Sequence, residues 1–248
     1  LEVAAVCRLH GLDVTVIEMA DRVMSRVVSP NVSDYYQLEH TKHGVKLLLS
    51  TSLVEFTGKR RVKRAITDDG QKIPADFAVV GVGILPNSEI AEAAGLDVSN
   101  GIVVDDTCRT ADPDVYAIGD CTSHPNSIYG QPLRLESVHN ALEQAKTAAS
   151  NICGVESHYS QVPWFWSDQY DLKLQIAGLS HGYDDVVLRG DPSSGSFACC
   201  YLKDDVLIAV DAINSPHEFM QSKALIAKRA KIDQDKLANA ELALKDLA

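Results

Sequence analysis

The chain has 248 residues, of which 46% are hydrophobic and 23% are charged, and these globular proportions exclude a disordered chain, a collagen and a coiled coil. The net charge of −11 and the aromatic content of 6% argue against a nucleic-acid-binding protein, which needs a basic or a base-stacking surface. No apolar run approaches the roughly 18 residues of a membrane-spanning helix, so we expect no nucleic acid and no membrane among the partners.

The first elements predict half of a dinucleotide-binding unit. Apolar residues recur at helical spacing over 3–9, and Gly11 stands where the cap of that helix belongs. Residues 14–17 then form a short apolar strand that ends on Glu18. In a dinucleotide-binding βαβ unit, an acid at this point binds the ribose hydroxyls of the adenosine. A strand of any parallel α/β protein can also end in Glu, so both interpretations stay open here.

The next part of the chain predicts one helix, two strands and a hairpin turn, at 31–44, 45–49, 53–56 and 68–70. Residues 77–80 form a continuous apolar run, which predicts a strand covered on both faces. This run leads into Gly81, Val82 and Gly83. Glycines at the end of a parallel strand let a ligand approach the backbone closely, although a plain strand-to-helix turn has the same composition.

The sequence then predicts two strands, a polar loop and a helix, at 102–105, 115–118, 121–132 and 138–151. The second of these strands ends at Gly119 and Asp120, and Ser137 is a suitable N-cap for the helix. Such a strand end beside a helix start combines a carboxylate, which can hold polyol hydroxyls, with N–H groups that stabilise negative charge. Both features suit a reduced flavin with its ribityl chain.

From about residue 156 the composition changes, and we predict a separate α+β domain. Both tryptophans lie in the segment 163–166. Four strands and two helices are predicted to follow, at 172–177, 186–188, 197–202, 206–210, 217–230 and 233–247. Residues 203–205 are predicted to join the last two strands as a hairpin.

Taken together, the motifs resemble the flavin-dependent NADH:ferredoxin reductases that serve bacterial cytochromes P450 and ring-hydroxylating dioxygenases, the family of putidaredoxin reductase. The motifs are Glu18 with the run 22–27, and the segments 80–87, 116–121, 134–141 and 163–169. The first three occur widely among flavoproteins with two dinucleotide domains, whereas the last two are much more specific to this family. The resemblance runs nearly from end to end. It implies an α/β fold with two Rossmann-like dinucleotide-binding domains, both incomplete, and a C-terminal α+β domain, at 1–83, 84–155 and 156–248.

The resemblance also implies, position by position, NAD-binding residues in the first domain. Glu18 matches the acid on the adenosine ribose, and no compensating Arg follows it directly, which favours NADH over NADPH. Arg26 matches a basic residue near that ribose, with an ordinary surface charge as the alternative. Gly81, Val82 and Gly83 match the strand end against which NAD packs.

For the flavin, the resemblance implies a second set of cofactor-binding residues: Gly119, Asp120, Glu136, Ser137, Val138 and Trp166. Asp120 matches the acid that holds the ribityl or phosphate region. Val138 matches the helix start that faces the pyrimidine edge of the isoalloxazine, and Glu136 is expected near the nicotinamide amide. Trp166 matches the tryptophan beside the flavin where the iron–sulfur partner docks, with an ordinary core tryptophan as the alternative.

The implied reaction is hydride transfer from NADH to FAD, followed by two single-electron transfers to a [2Fe–2S] ferredoxin. The cofactors carry this chemistry, so no side chain is assigned as a catalytic acid or base.

The six cysteines have no zinc-site spacing and predict no metal site; they are interpreted as buried free thiols of a cytoplasmic protein. A monomer is the expected state in this family.

Two other functions remain open for the sequence. One is a relative of the disulfide or monodehydroascorbate reductases, and the other is a non-catalytic NAD- or FAD-binding interaction module.

The acid-to-loop spacing of about 20 residues places the NAD glycine loop ahead of Leu1. The resemblance implies that an N-terminal FAD-binding βαβ unit comes before that loop. We therefore expect an N-terminally truncated reductase that, as given, binds FAD poorly and oxidises NADH negligibly, because the FAD pyrophosphate lacks the helix N-terminus of that unit.

Overall fold

The computed structural model describes residues 1–247, which divide into two compact units. The first unit comprises 1–83, 167–174 and 191–195, and the second comprises 84–166, 175–190 and the chain from 196 onward. In the described part of the chain, none of the helices is both long and apolar enough to cross a membrane.

The first unit contains two helices, a pair of parallel strands and a three-stranded antiparallel sheet. Its elements are α1 (Glu2–Leu9), β1 (Thr15–Ile17), α2 (Pro30–Lys42), β2 (Lys46–Leu48), β3 (Leu53–Thr57), β4 (Arg64–Thr67) and β5 (Lys72–Pro74). Strands β1 and β2 pair in parallel, and β3, β4 and β5 form the antiparallel sheet in that order. The predicted helices, strands and hairpin turn of residues 3–70 are confirmed, and Gly11 follows α1 with a φ of 75°.

Two predicted strands are absent from the described residues. The segment 77–80 has no strand, and of the segment 115–118 only Tyr116 pairs, in an isolated bridge to Arg109. The two predictions were wrong for different reasons. The segment 115–118 has a neighbour in 108–110, with hydrogen bonds from Thr110 N–H to Val115 and from Ala117 N–H to Cys108, but the pairing is too short to form a strand. The segment 77–80 has no such neighbour among the described residues. An apolar run has the composition of a strand, but a strand also needs a neighbour to accept its hydrogen bonds. Val80, which has no such neighbour, is 63% exposed.

The second unit contains a small mixed sheet, a long helix and a larger sheet. Its elements are α3 (Glu89–Ala93), β6 (Ile102–Val103), β7 (Thr122–Asn126), β8 (Gln131–Leu133), α4 (Val138–Ile152), β9 (Trp164–Gln169), β10 (Leu172–Gly178), β11 (Asp185–Asp191), β12 (Ser196–Lys203), β13 (Val206–Ile213), α5 (Pro216–Ala227) and α6 (Gln234–Ala238). The small sheet has the order β6–β7–β8, and the larger sheet has the order β11–β12–β13–β10–β9. A few residues at the ends of β9, β10 and β11 are counted with the first unit.

The hydrophobic core of the second unit lies around β12, β13 and α5. Every residue of β13 is buried, and Leu207, Val210 and Ala212 are completely so. The predicted hairpin between β12 and β13 is confirmed. Its central residues, Asp204 and Asp205, both have positive φ, of 51° and 64°, as a type I′ turn requires.

Two further sequence predictions for the second unit were wrong. The segment 121–132, predicted as a polar loop, contains β7 and β8, whose polar composition hides their strand character. The single helix predicted over 233–247 is interrupted, since α6 ends at Ala238 and only a 3-10 turn at Leu244–Asp246 follows. The carbonyls in the interruption are bound by Arg189, which donates to the oxygens of Asn239 and Leu242.

All six cysteines are free, but the prediction that they are buried is only half correct. Cys108, Cys199 and Cys200 are buried, Cys7 and Cys121 are half-buried, and Cys153 is exposed. Within residues 1–247, no cluster of three or more His, Cys, Asp or Glu side chains could hold a metal ion.

Candidate functional site

The N-terminus of α4 is capped by Ser137, as the sequence predicts. Ser137 has the extended backbone of an N-cap, and its Oγ accepts the N–H of Asn140 at 3.4 Å. Its hydroxyl donates to the carbonyl oxygen of Trp164 at 3.0 Å, and its own N–H donates to Oδ1 of Asp120 at 3.3 Å. This buried residue therefore connects the start of α4 with β9 and with the chain segment that ends at Asp120.

Gly119, directly before that aspartate, is held against α4 by Gln144. The N–H of Gly119 donates to Oε1 of Gln144 at 2.7 Å, and the Thr122 hydroxyl donates to the same oxygen at 3.1 Å. Gln144 lies two turns into α4 and is completely buried. Gly119 has a φ of 82°, while an added Cβ would meet only the Ala141 Cβ, at 3.7 Å. The conformation, rather than the space, therefore favours glycine here.

Charged and polar groups surround this helix start. Asp120 is exposed, and Glu136 pairs with the guanidinium of Arg134 at 2.8 Å. The first intrahelical bond is donated by Ala141 to the carbonyl of Ser137, so the N–H groups of Val138 and His139 precede it. These unsatisfied N–H groups carry the positive end of the helix dipole, and the first turn contains no acidic residue to neutralise it.

An aromatic group packs beside the same helix start. The Trp164 ring centroid lies 5.3 Å from that of His139, 5.4 Å from that of Trp166 and 5.5 Å from that of Phe219. The ammonium of Lys223 stands over Trp164 and Phe219, at 5.6 and 4.8 Å from the ring centroids. Burial lowers the pKa of His139, which favours a neutral imidazole. Trp166 is the exposed member of the group, with 47% of its surface accessible to solvent.

In the first unit, Glu18 sits at the end of β1, as predicted. Its N–H donates to the carbonyl of Leu48 at 2.9 Å, and its own carbonyl accepts from Thr51 at 3.0 Å. Its carboxylate Oε1 accepts the N–H of Ala20 at 2.9 Å. Among the described residues, the other carboxylate oxygen has no hydrogen-bond partner. The strand end thus presents one carboxylate oxygen for a ligand.

The other predicted NAD residues lie on exposed chain. Arg26 is exposed, and its guanidinium would lie 3.7 Å from a Cβ added at Gly83, so these two predicted residues are brought together. Gly83 has a φ of 97°. Gly81 is exposed, and Val82 has 83% of its surface exposed.

The predicted site residues thus form two groups, one in each unit. Glu18, Arg26, Gly81, Val82 and Gly83 belong to the first unit, and Gly119, Asp120, Glu136, Ser137, Val138 and Trp166 belong to the second. Sequence reasoning missed Arg134 and the buried pair Asn140 and Gln144. The pair had a usable signal, since two amides four residues apart share one face of a helix.

Residues 1–145 match the family described as pyridine nucleotide-disulphide oxidoreductase, and residues 164–248 match the family described as reductase C-terminal. The chain belongs to the pyridine nucleotide-disulphide oxidoreductases. The matches confirm the predicted fold class, with dinucleotide-binding architecture followed by a C-terminal reductase domain.

Several relatives of the chain are named ferredoxin reductases or reductases of similar electron carriers. The chain is 42% identical over 250 residues to the 5,5′-dehydrodivanillate O-demethylase ferredoxin reductase subunit of Sphingobium sp., covering 100% of this chain and 61% of the relative. It is 42% identical over 246 residues to rhodocoxin reductase of Rhodococcus erythropolis, covering 99% and 58%. The structure of the covalent putidaredoxin reductase–putidaredoxin complex matches with a TM-score of 0.96 and 40% identity, covering 100% and 60%. These matches confirm the predicted family resemblance, and the chain spans about three fifths of the length of each relative.

Proposed function

We propose that the protein passes electrons from NADH through FAD to a [2Fe–2S] ferredoxin that serves a cytochrome P450 or a ring-hydroxylating oxygenase. The observation that carries the proposal is the start of α4, where Asp120 and free N–H groups converge beside a half-exposed tryptophan. The relatives support it by their names, which are those of reductases for ferredoxin-type partners. Because the chain matches about three fifths of each relative, the proposal concerns the whole protein.

The residues around α4 suit a flavin in charge and polarity. The exposed Asp120 carboxylate suits hydroxyls of a ribityl chain, and Val138 offers an apolar contact, with 57% of its surface exposed. The helix dipole favours negative charge at the pyrimidine edge of the ring by about 0.3–1 kcal/mol, and by up to about 2 kcal/mol where partly buried. The flavin is therefore proposed to be held by Gly119, Asp120, Glu136, Val138 and Trp166, with Ser137 contributing through its cap.

When bound, the flavin supplies the redox chemistry, since it accepts two electrons from NADH and can release them one at a time. The residues of this chain bind and orient it. No acidic or basic side chain is needed at the reacting atoms, and none is assigned. The first turn of α4 contains no acidic residue, and the lowered pKa of His139 favours its neutral form. The helix start therefore carries only the partial positive charge of the helix dipole.

For NADH, the proposed contacts are those of the first unit. The free oxygen of the Glu18 carboxylate would accept hydrogen bonds from the adenosine ribose, and it would repel the additional phosphate of NADPH. Arg26 lies beside Gly83, where its guanidinium can meet the ribose or a phosphate of the dinucleotide. Gly81 and Val82 would provide an open backbone for packing, since both are exposed.

The proposal includes the domain bounds, the oligomeric state and the location. We propose domains at 1–83, 84–155 and 156–248, supported by the end of the longest segment of the first unit at Gly83 and by family matches that stop at 145 and resume at 164. A monomer and a cytoplasmic location are proposed as well. The location rests on the six free thiols, because disulfides are rare in that compartment.

The test is electron transfer by protein expressed from its complete reading frame and loaded with FAD. We expect it to reduce cytochrome c with NADH only when a [2Fe–2S] ferredoxin is added, and to use NADPH less well. Reduction of glutathione disulfide in place of ferredoxin would overturn the proposal in favour of a disulfide reductase. Binding of NADH without reduction of either acceptor would favour the interaction module.

A further inference from the structure

One hydrogen bond joins the two segments that are most specific to the predicted family. Ser137 belongs to the segment 134–141 at the start of α4, and Trp164 belongs to the segment 163–169 in β9. The Ser137 hydroxyl donates to the Trp164 carbonyl oxygen at 3.0 Å, over a separation of 27 residues. This bond anchors the backbone of β9 directly to the cap of the helix.

The anchored strand positions Trp166. Residues two apart in a strand share one face, and the ring centroids of Trp164 and Trp166 lie 5.4 Å apart. Trp164 is itself held by Phe219 and by Lys223 above its ring. Trp166 is 47% exposed, and among residues 1–247 its ring contact is with Trp164, so the packing of its indole relies on Trp164 in addition to the strand pairing of β9 with β10.

The other hydrogen bonds of Ser137 lie next to the residues that are proposed to hold the flavin. Its N–H donates to the carboxylate of Asp120 at 3.3 Å, and its Oγ caps α4 one residue before Val138. The hydroxyl therefore uses its donor on β9 and an acceptor lone pair on the helix. A carboxylate at this position could cap the helix but could not donate to the Trp164 carbonyl, whereas the hydroxyl does both.

We propose that Ser137 is a positioning residue, which holds Trp166 at the start of α4 for the transfer of electrons out to the ferredoxin. The inference rests on the proposed function, because it assigns Ser137 to the outward half of that electron path. Ser137 acts through Trp166 and does not touch the reacting atoms. Loss of its hydroxyl should thus impair the ferredoxin-dependent rate more than the NADH-dependent reduction of a small acceptor.

The main experiment compares Ser137→Gly with Ser137→Thr in the FAD-loaded full-length protein. Glycine is tolerated at an N-cap but lacks the hydroxyl, whereas threonine keeps it. The measured quantity is the ratio of the ferredoxin rate to the ferricyanide rate, per bound flavin. We expect the ratio to fall about fivefold in Ser137→Gly, as one lost hydrogen bond of ordinary strength would bring about, and to recover in Ser137→Thr.

A matched control and a double-mutant cycle separate this role from a general loss of structure. Ser150 lies in the last turn of α4, and its hydroxyl makes no hydrogen bond to the described residues, so Ser150→Ala should leave the ratio unchanged. In a Trp166→Phe background, Ser137→Gly should lower the ratio no further, because the two residues act on one path. Additive effects in this cycle would overturn the proposal, as would a ratio within twofold of wild type in a folded, flavin-loaded Ser137→Gly.

Fluorescence provides a readout that does not depend on ferredoxin. The contribution of Trp166 is the difference in emission between each protein and its Trp166→Phe partner. With flavin bound, we expect Ser137→Gly to weaken the quenching of Trp166, and Ser137→Thr to restore it. Unchanged quenching would overturn the proposal. If the wild type failed to reduce ferredoxin at all, the proposed function would fail while this measurement still tested the position of Trp166.

Discussion

The two groups of predicted site residues differ in how their polar groups are held. At the start of α4, the N–H groups of Gly119 and Ser137 are both bound, by Gln144 and by Asp120. In the first unit, Gly81 and Gly83 lie on exposed chain without regular secondary structure. Glycine thus lies in a buried hydrogen-bond network in the second unit, at Gly119, and on exposed backbone in the first unit, at Gly81 and Gly83.

This difference separates two kinds of expected mutational effect. Removing one partner from a buried network leaves the other partner without a hydrogen bond and without water, which lowers the stability of the fold. Removing an exposed side chain costs little stability, so its effect should appear in ligand binding alone. Four predictions test this separation, and they concern Arg189, Gln144, Asp211 and Arg26.

The largest expected effect is that of Arg189→Met in the second unit. Arg189 is 2% exposed, pairs with Glu218 at 3.0 Å, and donates to the carbonyls of Leu237 and Asn239 at 3.0 and 2.6 Å. Methionine would fill the space but leave Glu218 unpaired, so we expect a loss of about 3–5 kcal/mol in the free energy of unfolding. Urea denaturation measures it.

The control for Arg189 is Lys146→Met. Lys146 pairs with Glu143 at 2.5 Å on the exposed surface of α4, where such a pair contributes about 0–1 kcal/mol. Equal losses in the two variants would contradict the assignment of Arg189 as a buried anchor of the segment that follows α6.

A smaller loss is expected for Gln144→Leu. Leucine keeps the volume of this buried side chain but removes the oxygen that accepts from Gly119 and Thr122. The unpaired N–H of Gly119 should cost about 1–3 kcal/mol of unfolding free energy, and FAD should be retained less well. Denaturation and flavin content are the measurements, with the neighbouring Glu143→Gln as the control. A Gln144→Leu protein as stable as that control would show that the network does not hold the chain segment at Gly119.

The third prediction concerns pH and the buried carboxyl of Asp211. Burial raises the pKa of Asp211 to about 7, while the Tyr201 hydroxyl donates to one of its oxygens. In the unfolded chain the carboxyl ionises near pH 4, so between about pH 4 and 7 only the folded state keeps the proton. The contribution of Asp211 to the unfolding free energy should therefore fall as the pH rises through this window, by at most about 1.4 kcal/mol per pH unit.

Asp211→Asn should remove this slope, and thermal unfolding across the pH range measures it. His124 provides a control of opposite sign, because burial lowers its pKa to about 4. The folded state keeps His124 neutral, so its contribution is lost as the pH falls below about 6.5. A pH profile that is the same in wild type and Asp211→Asn would contradict the raised pKa.

The parts of the structure that sequence analysis predicted correctly are local. The cap at Ser137 and the turn at Asp204 and Asp205 depend on residues within a few positions of each other, and each has a recognisable composition. The helix over 138–151 likewise follows from its own periodicity, and α4 occupies Val138–Ile152. Local chemistry was sufficient in these cases.

The parts that were missed depend on distant partners. Gln144 meets Gly119 across 25 residues, and Arg189 meets Leu237 across 48 residues, and neither pairing has a local signature. The run 77–80 has the composition of a strand but no partner strand among residues 1–247. The motifs indicate the candidate site residues, which stay predictions, whereas the hydrogen bonds around Gly119 and Ser137 required the structure.

The smallest effect on stability is expected for Arg26→Gln, with Arg22→Gln as its matched control. Arg22 donates to the carbonyl of Val28 at 2.8 Å and to the Ser33 hydroxyl at 2.7 Å, whereas Arg26 is exposed beside Gly83. Arg22→Gln should therefore lower the unfolding free energy by about 1–3 kcal/mol, and Arg26→Gln by less than about 0.5 kcal/mol. Only Arg26→Gln should raise the KM for NADH with its stability unchanged, by about twofold to fivefold, the usual range for one exposed charge. If its KM stays at the wild-type value, Arg26 is an ordinary surface charge, and the NADH contacts of the first unit reduce to Glu18 and the glycine backbone.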